Sequence, residues 1–114
     1  MHEASIALNV IEIAAENCRK AGYGRIDSIK LRIGRASGIM PDALLFAFDA
    51  LKIDTIAEKA TVMIDEIPVG GLCGSCGKNF VTEEAYVLSC PECGSASFKI
   101  NTGRELEIVD MEVT

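Results

Sequence analysis

The chain has 114 residues, 49% of them hydrophobic, with a formal net charge of -6, five cysteines, one histidine and no tryptophan. That length suits one compact domain with a small appendage, and with aromatics at only 5% the core must be aliphatic. An acidic chain without a long Lys/Arg run lacks the phosphate-neutralising charge of general nucleic-acid binders, and it contains no apolar run of about 18 residues to span a membrane.

From Glu3 to Ala21 the apolar residues recur at helical spacing. Ala7, Ile11, Ala14 and Cys18 form one line with Ile6, Val10 and Ile13 beside it, while Ser5, Asn9, Glu12, Glu16 and Arg19 make the solvated face. This predicts a helix closed by Gly22 and Gly24, with Cys18 acting as a small core hydrophobe. Over Arg25 to Ile33 the period falls to two: Ile29, Leu31 and Ile33 alternate with Ser28, Lys30 and Arg32, the pattern of a strand with one buried face that ends at Gly34. A loop from Gly34 to Met40 leads to Pro41 and Asp42, which open a second helix whose apolar stripe is Leu44, Leu45, Phe48 and Leu51. Thr61 to Ile67 predicts a second strand, terminated by Pro68, Gly70 and Gly71. The last segment, Arg104 to Val113, alternates through Leu106 and Ile108 and then slips phase to Val109, Met111 and Val113, as a bulge or burial of both faces would produce. Pairing of this strand with one of the first two would bring the chain back to the domain it left.

Residues 69–103 read as an insert around two C-x2-C pairs, Cys73-Gly74-Ser75-Cys76-Gly77 and Cys90-Pro91-Glu92-Cys93-Gly94, separated by thirteen residues. This is close to the spacing of paired zinc knuckles, and zinc accepts four thiolates in a tetrahedron while the glycine after each pair lets the backbone turn toward the sulfurs. A unit below about 40 residues needs a metal or disulfides to fold, and disulfide frameworks belong to secreted chains, whose marks are missing here; a reducing cytoplasm is the expected location. Tyr86, Val87 and Phe98 are expected to pack beside the metal. The expected architecture is α/β: a small mixed three-stranded sheet packed by two helices over residues 1–68 plus 104–114, with a zinc-ribbon-like domain inserted at 69–103.

The sequence opens Met1-His2-Glu3. A free amine on Met1, the amide nitrogen of His2 and an imidazole nitrogen of His2 can form fused chelate rings in one plane, a donor set that suits Ni(II) or Cu(II) as four thiolates suit zinc. Amine and imidazole must both lose protons to bind, so affinity should fall with pH. Taken alone, a single histidine near a terminus is more often an ordinary solvated residue.

Met1-His2-Glu3, Ile33-Gly34 with Ser37, Pro41 to Phe48, Thr55 with Ala57-Glu58, the strand into Pro68, both cysteine pairs and Gly103-Arg104-Glu105-Leu106 together resemble the hydrogenase-maturation nickel metallochaperone family, HypA/HybF. The resemblance runs over essentially the whole chain. It implies a nickel-binding α/β domain carrying transient Ni(II) at Met1, His2 and Glu3, and structural zinc at Cys73, Cys76, Cys90 and Cys93. It also implies delivery to the apo large subunit of a [NiFe] hydrogenase with a HypB-type nickel-maturation GTPase. A monomer or weak homodimer is expected, and charge and hydropathy argue against nucleic-acid or membrane partners. Two other readings of the knuckles are a rubredoxin-like iron electron carrier and a zinc-ribbon module for nucleic acid, the second disfavoured by the acidic charge. No Ser-His-acid set and no glycine-rich phosphate loop with a lysine is present, so catalysis is not expected.

Overall fold

The computed structural model describes residues 3–114. In chain order its elements are α1 (Glu3–Lys20), β1 (Ile26–Gly34), α2 (Pro41–Leu51), β2 (Thr61–Ile67), β3 (Val69–Cys73), β4 (Asn79–Thr82), β5 (Phe98–Thr102) and β6 (Leu106–Val113). They form two three-stranded sheets, β2-β1-β6 and β4-β3-β5. The chain divides into two compact units, one holding the residues up to Arg32 with Ile39–Asp65 and Glu107–Thr114, the other Ile33–Gly38 with Glu66–Leu106.

In the first unit α1 and α2 pack against each other. Helix α1 buries Ala7, Val10, Ile11, Ala14, Ala15 and Cys18. Ile13, expected beside that line, is instead 52% exposed: at 100° per residue the buried arc runs from Val10 round to Ala15, and Ile13 falls outside it. Strand β1 carries the core of the sheet, with Ile26, Ile29, Leu31 and Ile33 all buried. Thr114 exchanges both backbone hydrogen bonds with Arg25, and the Gly34 amide donates to the Glu105 carbonyl, so β6 runs antiparallel to β1. The Arg35 amide, just past the end of β1, donates to the carbonyl of Ile67, the last residue of β2. Strands β1 and β2 therefore run the same way, with α2 as the crossover that a parallel pair requires, and the sheet is mixed. In β6 the half-buried residues are Ile108, Met111 and Val113, while Leu106 and Val109 face solvent.

The loop from Lys52 to Ala60 is held by its own side chains. Thr55 donates its hydroxyl to the Lys52 carbonyl at 2.6 Å and accepts the Ala57 amide at 3.1 Å, and Lys52 Nζ donates to the Ala60 carbonyl at 3.0 Å. Thr55 and Ala57 thus serve as turn-formers.

The second unit is a sheet as well as a pair of knuckles. Gly70 and Gly71, expected to terminate β2, lie inside β3, with Gly70 opposite Val81 and Gly71 opposite both Phe80 and Ile100. Their role is steric: a Cβ on Gly70 would stand 2.6 Å from Thr102 Oγ1, and one on Gly71 would stand 2.9 Å from Phe80 Cζ and collide with the Lys99 carbonyl. Phe80 is buried and meets Phe98 edge-on, ring centroids 5.9 Å apart. Tyr86, expected to pack near the cysteines, is exposed; the aromatic support comes from Phe80 and Phe98, which sit on strands, whereas Tyr86 sits in the intervening loop.

Candidate metal centre

Cys73 closes β3, and Cys76 follows in the tight turn that leads to β4. The turn is built by the backbone: the Gly77 amide donates to the Cys73 carbonyl at 3.1 Å, and the Cys73 amide donates to the Lys78 carbonyl at 3.0 Å. The second knuckle repeats the geometry, with Gly94 donating to the Cys90 carbonyl and Cys90 donating to Ser95, both at 2.8 Å. Gly77 and Gly94 have φ of 73° and 77°, the left-handed conformation that lets each turn close without a Cβ penalty. The amides that point at sulfur belong to neighbouring residues: Ser75 and Cys76 donate to Cys73 Sγ at 3.3 and 3.4 Å, and Glu92 donates to Cys90 Sγ at 3.4 Å. A hydroxyl pair, Ser75 Oγ to Ser95 Oγ at 2.8 Å, ties one knuckle to the other, and the Gly74 amide donates to the Ser97 carbonyl at 2.7 Å. Sequence reasoning missed these serines, because Ser75 lies inside the first C-x2-C and Ser95 after the second turn glycine, so no shared spacing marks them as a pair.

The four sulfurs all lie within 4.8 Å of one another. Cys73 and Cys93 are 3.5 Å apart and Cys76 and Cys90 3.9 Å. A tetrahedron of thiolates at ~2.3 Å from a central ion has edges of about 3.8 Å, so this donor set fits a four-coordinate soft metal. Cys73 and Cys90 are buried while Cys76 and Cys93 face solvent, an arrangement that roots the ion in the unit and leaves one side accessible. With four thiolates the coordination sphere is closed: the site holds structure together and has no position for a reacting group. The sulfurs differ electrostatically. The Cys76 amide, helped by the Ser75 amide, holds the Cys73 thiol down to about 6 against the burial that opposes it. For Cys93 the Ser95 amide pulls downward, but the proximity of Cys73 and burial outweigh it and push the thiol up to about 11. The backbone amides thus favour the thiolate form at Cys73, the form that ligates a metal.

Met1 and His2, the residues expected to bind nickel, lie outside the described residues. Glu3, expected with them, is the first residue of α1, and its carboxylate accepts the Met40 amide at 3.3 Å. Met40 is the N-cap of α2 and offers no side-chain cap of its own. The start of α1 is therefore tied to the start of α2.

A family model described as HypA, hydrogenase/urease nickel incorporation, metallochaperone, matches residues 1–113. The chain belongs to this family. Similar proteins include the hydrogenase maturation factor HypA of Rhizobium leguminosarum bv. viciae, 42% identical over 113 residues that cover 99% of both chains. Another is HypA of Roseiflexus sp. (strain RS-1), 40% identical over 98% of this chain and 91% of its own. Among solved structures the fold is similar to that of the Ni metallochaperone HypA from Helicobacter pylori, with a TM-score of 0.70 at 23% identity, covering 99% of this chain and 97% of that one. As a HypA-family metallochaperone the chain is a non-enzymatic maturation factor for hydrogenase nickel incorporation. Among the described residues, no helix is long and apolar enough to cross a membrane.

Proposed function

We propose that this protein binds Ni(II) at Met1, His2 and Glu3 and delivers it to the apo large subunit of a [NiFe] hydrogenase, while zinc bound by Cys73, Cys76, Cys90 and Cys93 folds the second unit. The observation that carries the reading is the match to the nickel-incorporation family over residues 1–113, Met1, His2 and Glu3 included. The chemistry agrees. The cysteine site is closed and unsuited to cargo, and His2, the one histidine in the chain, is the natural imidazole donor. In this reading Glu3 adds a donor beside His2, through its amide nitrogen or its carboxylate, and that carboxylate also accepts the Met40 amide. Planar nitrogen donors hold Ni(II) in preference to zinc, and their protonation offers a route to release at the acceptor. No phosphate-binding loop with a lysine exists in the sequence, so GTP hydrolysis falls to a HypB-type partner. The nickel domain comprises residues 1–68 plus 104–114 and the zinc domain 69–103; the protein acts in the cytoplasm as a monomer or weak homodimer.

The test is titration of purified wild type and His2→Ala with Ni(II) by calorimetry, with metal analysis before loading. Wild type should carry zinc, not iron, and bind one nickel that His2→Ala loses while keeping its zinc. Unchanged nickel affinity and stoichiometry in His2→Ala would overturn the assignment of the cargo site, and iron in the isolated protein would overturn the structural role given to the cysteines.

A further inference from the structure

Helix α2 is apolar on more sides than its own unit can cover. Of its eleven residues, Pro41 to Leu51, only Asp42 and Asp49 are polar. The inner side is accounted for by Leu44 and Phe48, both buried in the core. The opposite side carries a second stripe, Ala43, Phe46 and Ala50, at spacings of three and four residues. The spacing continues to Ile53, in the turn where the Lys52 amide still donates to the Phe48 carbonyl. All four are exposed, Phe46 at 78% and Ile53 at 56%. A phenylalanine standing in water between two alanines one turn away on either side has the shape of a helix-docking face: the ring is the anchor, and the small residues give room for a facing side chain.

Charge selects the occupant. Asp42, Asp49 and Asp54 are exposed along this helix and its closing turn. Lys52, the cation within this stretch, is directed to Asp49 at 3.5 Å and to the Ala60 carbonyl. A second copy of the chain meeting this face about a twofold axis would bring aspartates against aspartates, which disfavours self-association. We infer that the outward face of α2 docks an amphipathic helix of a protein partner whose apolar stripe is flanked by lysines or arginines. The aspartates steer that helix in, and Phe46 buries its ring against the stripe. The inference rests on the proposed carrier function only for the choice of two of its probes.

The experiment measures binding of wild type, Phe46→Ser and Asp49→Lys, by fluorescence anisotropy at low and high salt, to four probes. These are the purified maturation GTPase, the purified apo large subunit, a leucine-striped helical peptide with lysine flanks, and its glutamate-flanked twin. Circular dichroism and metal content control for folding. The expected result is binding of the lysine-flanked peptide and of one of the two proteins, weakened about tenfold or more by Phe46→Ser and made less salt-sensitive by Asp49→Lys. Binding of the lysine peptide alone, still dependent on Phe46, supports the surface while overturning the assignment of both protein partners. The inference is overturned if wild type binds no lysine-bearing probe, if Phe46→Ser leaves every affinity unchanged, or if the glutamate-flanked peptide binds equally well. It is overturned too if sedimentation reveals a wild-type dimer that Phe46→Ser dissolves, since the occupant would then be a second copy.

Discussion

Replacing Cys90 by serine removes a buried sulfur from the four-thiolate cluster. The apolar side chains buried within β3 and β4 are Val69 and Phe80. At ~1.5–3 kcal/mol each they contribute about 3–6 kcal/mol, whereas a structural zinc in a small unit contributes about 10–16 kcal/mol of apparent binding free energy at neutral pH. The ion is the larger stabiliser, so Cys90→Ser should lose its metal and the fold of Val69–Thr102 with it. The first unit should survive, because Ile26, Ile29, Leu31, Leu44 and Phe48 give it an aliphatic and aromatic core that involves no sulfur ligand. Amide NMR spectra with metal analysis provide the assay: resonances of Val69–Thr102 should collapse to the narrow dispersion of an unfolded chain while those of α1, α2 and β1 keep their positions. A metal-free Cys90→Ser protein in which Val69–Thr102 stays dispersed would refute the reasoning, and would mean that the sheet β4-β3-β5 is self-sufficient.

Metal retention by the folded protein should depend on pH through Cys73. A thiol held down to about 6 from 9.0 is ionised at neutral pH in the folded chain; its stabilisation is fully present above the unfolded value and is lost as pH falls through about 6. Metal content after equilibration at stepped pH should therefore be full at neutral pH and be lost as pH falls below about 6; metal retained unchanged well below that point would refute the role given to Cys73. Gly103 has φ of 112°, and a Cβ there would stand 2.8 Å from Val69 Cα; Gly103→Ala should cost about 2–5 kcal/mol from backbone strain and overpacking, read as a lowered melting temperature. Within α2, Phe48→Ala should cost about 3–5 kcal/mol, whereas Phe46→Ala should change stability by less than about 0.5 kcal/mol, both measured by denaturant unfolding. Equal losses would mean that Phe46 is not the solvent-facing residue described.

Periodicity exposed most of the first unit because each of its elements has one buried face and a sequence long enough to display it. Ile29, Leu31 and Ile33 alternate as a half-buried strand must, and Ala7, Ile11, Ala14 and Cys18 repeat as a half-buried helix must. The reading failed where neighbours overrule pattern. Ile13 is as apolar as Ile11, and only the position of the helix against its unit decides which of them is covered. Gly70 and Gly71 look like a terminator in one dimension, yet they are the positions where flanking strands approach too closely for any side chain. The resemblance to a nickel-carrier family was legible in the combination of Met1-His2-Glu3 with the two cysteine pairs, and the family match bears that out.

The order of residues sets the chemistry available: two C-x2-C pairs with their turn glycines, a single histidine beside Met1, and an acidic aliphatic chain without a Ser-His-acid set. Covalent spacing carries that information, because a C-x2-C turn brings two sulfurs together wherever it occurs. Folding sets how the four sulfurs meet, which of them is buried, which amides set their acidity, and that Glu3 reaches Met40 thirty-seven residues away. Those depend on distances between segments remote in sequence. In α2 the sequence already marked Leu44 and Phe48 as the inner stripe, and the fold adds that Phe46, equally apolar, is left in water.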